Sequence, residues 1–141
     1  MAKRTKITVE VLIDSTLKKV WECWTLPNHI TGWNFASDDW YCPRAENNLA
    51  PGGSFSWRME AKDGSMGFDF SGKYTIIEQL ELIENILDDE RSVTIKFRKE
   101  GKWTKVTETF ETEQMNSEEL QRQGWQAILN NFKKYVEALK E

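Results

Sequence analysis

The chain has 141 residues, of which 39% are hydrophobic and 12% aromatic, enough for one domain with a substantial core. Nineteen Lys and Arg against 23 Asp and Glu leave a net charge of −4, and the scattered basic residues exclude a nucleic-acid footprint, with Lys3, Arg4 and Lys6 reading as a solvated terminus. Cys23, Cys42 and the single His29 form neither a disulfide framework nor a zinc ligand set, so free thiols, no metal and no cofactor are expected. No apolar run approaches the roughly 20 residues of a membrane span, and MAKRTK leads into an alternating stretch rather than a signal sequence, which points to the cytoplasm.

Thr5 to Ile13 alternates Ile7, Val9, Val11 and Ile13 against Thr8 and Glu10, the pattern of a half-buried strand. Asp14, Ser15 and Thr16 are helix-start residues, and Leu17, Val20, Trp21 and Trp24 then mark one face of a short helix. That helix stops near Thr25 because Pro27 disfavours helical geometry just before it. Pro27 itself fits the first turn of a second short helix, through Ile30 to Trp33. Asn34 to Gly53 has no sustained period and carries Pro43, Pro51, Gly52 and Gly53. Its Phe35, Trp40, Tyr41 and Leu49 are too many large apolar groups for a disordered segment, so it reads as a packed lid or rim. Arg44 paired with Asp38 or Asp39 would hold that lid closed.

Strands follow in succession. Ser54 to Lys62 sets Phe55, Trp57, Met59 and Ala61 on one face, Asp63-Gly64 makes a hairpin turn, and Met66 to Ile77 continues through Phe68, Phe70, Gly72, Tyr74 and Ile76. Leu80 to Leu87 turns at Asp88-Asp89-Glu90 into Ser92 to Lys99, which presents Val93, Ile95 and Phe97. Glu100-Gly101 turns into Lys102 to Glu113, where Val106, Glu108 and Phe110 share a face. From Ser117 to Lys140 the apolar residues Trp125, Ile128, Leu129, Phe132, Tyr135, Val136 and Leu139 lie on one stripe of a helix roughly 35 Å long. Asn116 or Ser117 supplies its N-cap, Glu118 and Glu119 suit its first turn, and Lys133, Lys134 and Lys140 crowd its end.

This order makes an α+β chain in which about six antiparallel strands curve around one long C-terminal helix, with two short helices after strand one. The first strand must take an open sheet edge. Space is left between sheet and helix, with the small helices and the long loop at its mouth.

Four segments carry a resemblance over nearly the whole chain: VWECWTLPNHITGWNFASDDWYCPRAENNLAPGG, MEAKDGSMGFDFSGKYTII, TKVTETFETE and QRQGWQAILNNFKKYVE. In that order the sequence resembles the START-like, helix-grip superfamily (SRPBCC), and within it bacterial proteins similar to the C-terminal domain of the activator of the heat-shock protein 90 ATPase. The resemblance implies a deep cavity between sheet and terminal helix. Across the superfamily such cavities bind lipids, sterols, polyketides and other hydrophobic small molecules, and in some branches catalyse cyclisation or dehydration. In the eukaryotic activators a domain of this type follows a separate N-terminal domain, for which 141 residues leave no room.

Inward candidates from the strands are Trp57, Met59, Phe68, Phe70, Tyr74, Phe97 and Phe110; Trp24, Trp33, Phe35 and Trp40 come from the small helices and loop, and Trp125, Ile128, Leu129 and Phe132 from the long helix. Each is either filled core or cavity lining. Gly124, which costs a helix interior about 1 kcal/mol relative to alanine, either packs closely on the sheet or leaves room for a ligand. Glu108 lies on the inward face if the register holds; a one-residue slip sends Thr107 and Thr109 inward instead. Inward, it is a general acid or base or an anchor for a ligand hydroxyl. His29, near the mouth, is the other candidate for proton transfer. No nucleophile elbow or triad spacing is present.

Three readings follow. The first is a binder of a hydrophobic or aromatic small molecule, such as a lipid, polyketide or flavonoid, acting as a monomer or weak homodimer. The second is a cyclase-like enzyme using Glu108 or His29. The third is a protein-interaction domain working from its outer surface, where Trp103 lies opposite Val106 and Phe110.

Overall fold

Alternation, caps and breakers act as the sequence leads one to expect over most of the chain, whose residues 4–139 are described by a computed structural model. Lys3 and Lys140, named above for the charged terminus and the helix end, lie outside those residues. Strand β1 (Lys6–Ile13) buries Ile7, Val9, Val11 and Ile13. Helix α1 (Leu17–Thr25) is capped by Thr16, whose Oγ1 accepts from Lys19 N at 3.2 Å. It ends at Leu26, held extended by the proline that follows, and Pro27 opens the one-turn α2 (Pro27–Ile30).

The stretch read as an aperiodic loop contains a strand, β2 (Trp40–Asn47), paired antiparallel with β3 (Ser54–Ala61). Its register shifts between Tyr41 and Arg44, so the inward parity set by Trp40 and Cys42 resets to Ala45 and Asn47. Pro43, without an N–H, sits at that bulge on an edge strand, where its missing donor is tolerated. The sheet therefore has seven strands rather than about six.

β4 (Gly67–Glu78) follows β3 through the Asp63-Gly64 turn, where Gly64 takes φ +78°. β5 (Leu82–Leu87) begins two residues later than its apolar pattern suggests, because Leu80 adopts φ +68° and belongs to the turn. β6 (Ser92–Glu100) and β7 (Trp103–Glu111) complete the meander. Strand order is β1-β7-β6-β5-β4-β3-β2, antiparallel throughout, in a curled half-barrel. β1 thus pairs with β7 at an open edge, as topology requires, with Val9 opposite Glu108 and Val11 opposite Val106.

Helix α3 (Glu118–Ala138) is capped by Ser117 Oγ, which accepts from Leu120 N at 3.1 Å. It runs alongside β1, and its side chains close that strand's free edge. Arg122 Nη1 donates to Thr8 O at 3.2 Å, Gln126 Nε2 to Glu10 O at 3.2 Å and Lys133 Nζ to Leu12 O at 2.8 Å. Outward carbonyls of a strand recur every second residue, and helix residues about one or two turns apart can follow them, so an aggregation-prone edge is satisfied from within. Leu129, Phe132 and Val136 are completely buried against α1 and the sheet, whereas Trp125 and Ile128 are only half covered. The grip is tight at one end and loose at the other.

Candidate functional site

At the loose end the sheet and α3 stand apart. A mouth of about 350 Å³ is walled by Phe35, Trp40, Met59, Phe68, Leu120 and Gly124. It shares Met59, Phe68, Gln121, Trp125 and Ile128 with an inner cavity of about 210 Å³, whose remaining wall includes Trp24, Trp33, Asn34, Trp57, Phe70 and Glu108. Trp24, Trp57, Phe70 and Glu108 in turn border a recess of about 20 Å³, the size of one water, which ends at Tyr74, Asn85, Val93 and Ile95. Strand parity builds this series. Trp57 lies opposite Phe70, Ile95 opposite Glu108 and Asn85 opposite Val93, all on the concave face.

Two polar side chains with acceptor oxygens stand in that apolar wall without partners. Glu108 is 7% exposed and, among the described residues, has no hydrogen bond or ion pair. Burial pushes its carboxyl up to about 8, because removing water disfavours the charged form and nothing opposes it. Asn85 is 6% exposed and its Oδ1 has no hydrogen-bond partner. Of the neighbouring polar groups, the indole N–H groups of Trp24 and Trp125 also have no hydrogen-bond partner among the described residues, whereas the others are engaged. Tyr74 donates to Asn47 Oδ1 at 2.6 Å, and Asn47 Nδ2 donates to Thr25 O at 2.8 Å. Gln121 is locked to Glu113 and Asn116 at the start of α3, donating from Nε2 to both carbonyls and accepting Glu113 N on Oε1. Arg91, at the rim, is held by Asp89 at 2.7 Å.

The sequence-named residues divide. Trp24, Trp33, Trp57, Met59, Phe70 and Trp125 line the inner cavity, Phe35 and Trp40 the mouth, and Tyr74 the recess. Phe68 faces both spaces from an exposed position, 47% accessible, so it is a gatepost and not an interior residue. Phe97, Phe110, Leu129 and Phe132 are filled core. Phe97 packs edge-on against Trp21 and Trp24, and Phe132 against Trp24 and Trp33, while Phe110 stacks on Trp125 at 4.1 Å. Gly124 borders the mouth, and a Cβ there would meet no atom within 4 Å, so it leaves space and does not pack on the sheet.

His29 is not brought to the cavity. Its Nδ1 is hydrogen-bonded to Tyr135 Oη at 2.7 Å, joining α2 to α3. Arg44 pairs with Asp69 at 3.3 Å and Glu46 at 3.9 Å instead of Asp38 or Asp39, because β2 directs it across β3. Trp103 is exposed, with Lys133 Nζ 5.4 Å from its ring centre. Both cysteines are buried, and burial raises both thiols, Cys23 to about 11. Asn85 was missed although the signal was present, since it shares the inward parity of Ile83 and Leu87. Among the described residues no group of acidic, histidine or cysteine side chains could hold a metal.

A curled antiparallel sheet closed by a C-terminal helix over an aromatic-walled space defines a helix-grip domain of the START-like type. The family model "Activator of Hsp90 ATPase homolog 1-like protein" matches residues 14–137, and the chain belongs to that family. An AHSA1-like protein of Aeromonas hydrophila, solved by NMR, is 42% identical over 95% of this chain and 93% of its own, with a TM-score of 0.90. Chr148 of Cytophaga hutchinsonii is 48% identical over 94% and 92%, with a TM-score of 0.81. A Chromobacterium violaceum protein shares only 17% identity yet reaches a TM-score of 0.85 over 96% and 99%, which shows the fold alone. No protein of curated function matches. No helix among the described residues is long and apolar enough to cross a membrane.

Proposed function

We propose that this chain binds a hydrophobic, aromatic-faced small molecule in the cavity between sheet and α3, without covalent chemistry. The observation that carries this reading is Glu108, a buried carboxyl with no protein partner at the junction of the inner cavity and the recess. Buried polar groups in native proteins are normally satisfied, and an orphan aimed into a cavity is completed by a ligand or by water. Affinity then comes from desolvating apolar area against the tryptophans, at about 25 cal/mol per Å² before entropy losses, and orientation from Glu108 and Asn85. A screen of fatty acids, sterols, flavonoids and polyketide-like aromatics by tryptophan quenching and thermal shift tests it. Saturable quenching with a concentration-dependent rise in Tm supports binding; a folded protein silent to every class refutes it.

A second reading, a cyclase-like enzyme, is favoured by one feature. A carboxyl raised to about 8 titrates near the working pH of a general acid or base. The role falls on Glu108 alone, since His29 is engaged elsewhere by Tyr135. Turnover of a bound ligand, abolished in Glu108→Gln with binding retained, separates this reading from simple binding.

A further inference from the structure

We infer that the ligand of this cavity is a hydrophobic organic amine whose ammonium group sits at Glu108, framed by tryptophan faces. This rests on the binding reading above and adds the ligand's chemical class. Three observations carry it. First, the wall around Glu108 is built from Trp24, Trp57 and Phe70, with Trp33 and Trp125 completing the inner cavity. Aromatic faces carry negative potential and attract cations, most strongly where water is excluded. Second, the two unpartnered polar side chains deepest in the wall, Glu108 and Asn85, offer acceptors, while the only unpartnered donors among the described groups lining the inner cavity and recess are the uncharged indole N–H groups of Trp24 and Trp125. Asn85 Oδ1 needs a donor, and a carboxylate at Glu108 needs donors or a positive charge. An ammonium carries both donors and the positive charge that Glu108 needs, at the recess that Asn85 also borders.

Third, the protein supplies no cation of its own. The titratable and charged groups facing these cavities beside Glu108 are Tyr74 from β4, Arg91 from the β5–β6 turn and Glu113 after β7. Arg91 is held by Asp89, Glu113 is kept ionised by hydrogen bonds from Asn116 and Met115, and Tyr74 is pushed upward by burial. A structural buried carboxylate ordinarily carries an arginine or lysine partner. Here the cation is left for the ligand to bring, and Glu113 in the wall of the inner cavity adds to the attraction.

The test compares naphthylethylammonium, naphthylethanol and naphthylacetate, which share one aromatic body and differ in head-group charge, by titration calorimetry in phosphate and HEPES at several pH values. The ammonium compound is expected to bind at least about tenfold more tightly than the alcohol, with the acetate weakest. Because Glu108 is mostly protonated at pH 7 when empty, ammonium binding should release about 0.9 proton there and strengthen about fiftyfold from pH 6 to pH 8. Glu108→Gln should remove the proton release and the preference for the ammonium over the alcohol. Alcohol affinity equal to or above that of the ammonium, or ammonium binding without proton release in the wild type, overturns the amine assignment and leaves cavity binding standing. Failure of all three compounds to bind a folded protein overturns the assignment and counts against the binding reading itself.

Discussion

Replacing Glu108 by glutamine should change the stability of the ligand-free protein by an amount that moves steadily in favour of glutamine as pH rises. The carboxyl rises from 4.5 to about 8 on folding, so the folded state holds the proton more tightly than the unfolded chain. The stability this contributes is fully present below about pH 4.5 and is lost as pH rises, until ionisation is complete above about 8. Each pH unit in that window removes about 1.4 kcal/mol, and at pH 7 the loss is on the order of 3 kcal/mol. Glutamine keeps the shape and cannot ionise, with a pH-independent offset for its own buried amide of about 1–3 kcal/mol. Urea unfolding of both proteins at pH 5, 7 and 8.5, subtracting one from the other, cancels every other titrating group. The difference should move in favour of glutamine from pH 5 to pH 8.5 and level off near 8. A difference that is flat across that range would show that Glu108 is solvated as a carboxylate in the folded state, and the orphan-carboxyl argument would fail with it.

Gly124→Ala should raise stability by up to about 1 kcal/mol, since a methyl there meets no atom within 4 Å and helix propensity improves; Gly124→Trp should leave the fold intact but block the mouth, read as lost ligand-induced quenching. Gly72→Ala should be strongly destabilising, by roughly 2 kcal/mol or more in urea unfolding, because its Cβ would collide with Ile86 O and come within 2.9 Å of Leu87 Cα in the neighbouring strand. Removing Arg122, Gln126 and Lys133 together should expose the carbonyls of β1 and drive concentration-dependent self-association, visible by light scattering, with little change in helix content.

Much of this fold was legible because its strands obey a period of two over a single buried face. That rule gave β1, β3, β6 and β7 close to their limits, and it set Glu108 on the face of Val106 and Phe110 while leaving open whether the register turns that face inward. It failed where backbone geometry interrupts the period. The bulge at Pro43 splits β2 into two short runs of opposite parity, neither long enough to show alternation. At Leu80 an apolar residue occupies a left-handed turn, a position usually marked by glycine or asparagine, so the chemistry signalled strand where the chain bends. Asn85 was hidden differently. It shares the inward parity of Ile83 and Leu87, but a buried asparagine has no composition signal of its own. The division of inward aromatics into lining and filler was also beyond the sequence, because Trp57 and Phe97 obey the same pattern and differ in what covers them: Phe97 meets Trp21 and Trp24 of α1, whereas Trp57 borders the space left by the distance between α3 and the sheet.

That distance is set along α3 itself. Its later turns carry Leu129, Phe132 and Val136, side chains that interlock with Trp24 and Trp33 and the edge-on rings around them. Its earlier turns carry Gly124 and Gln121, one without a side chain and the other folded back onto Glu113 and Asn116. Neither can reach the sheet. The helix is therefore anchored like a lever at its C-terminal half and by its contacts with β1, and the N-terminal half spans a gap that Trp125 only partly fills by stacking on Phe110. Stability and cavity occupy different turns of one helix, so substitutions at Phe132 should act on folding and those at Gly124 on occupancy, and Trp125, which touches both, should move the two together.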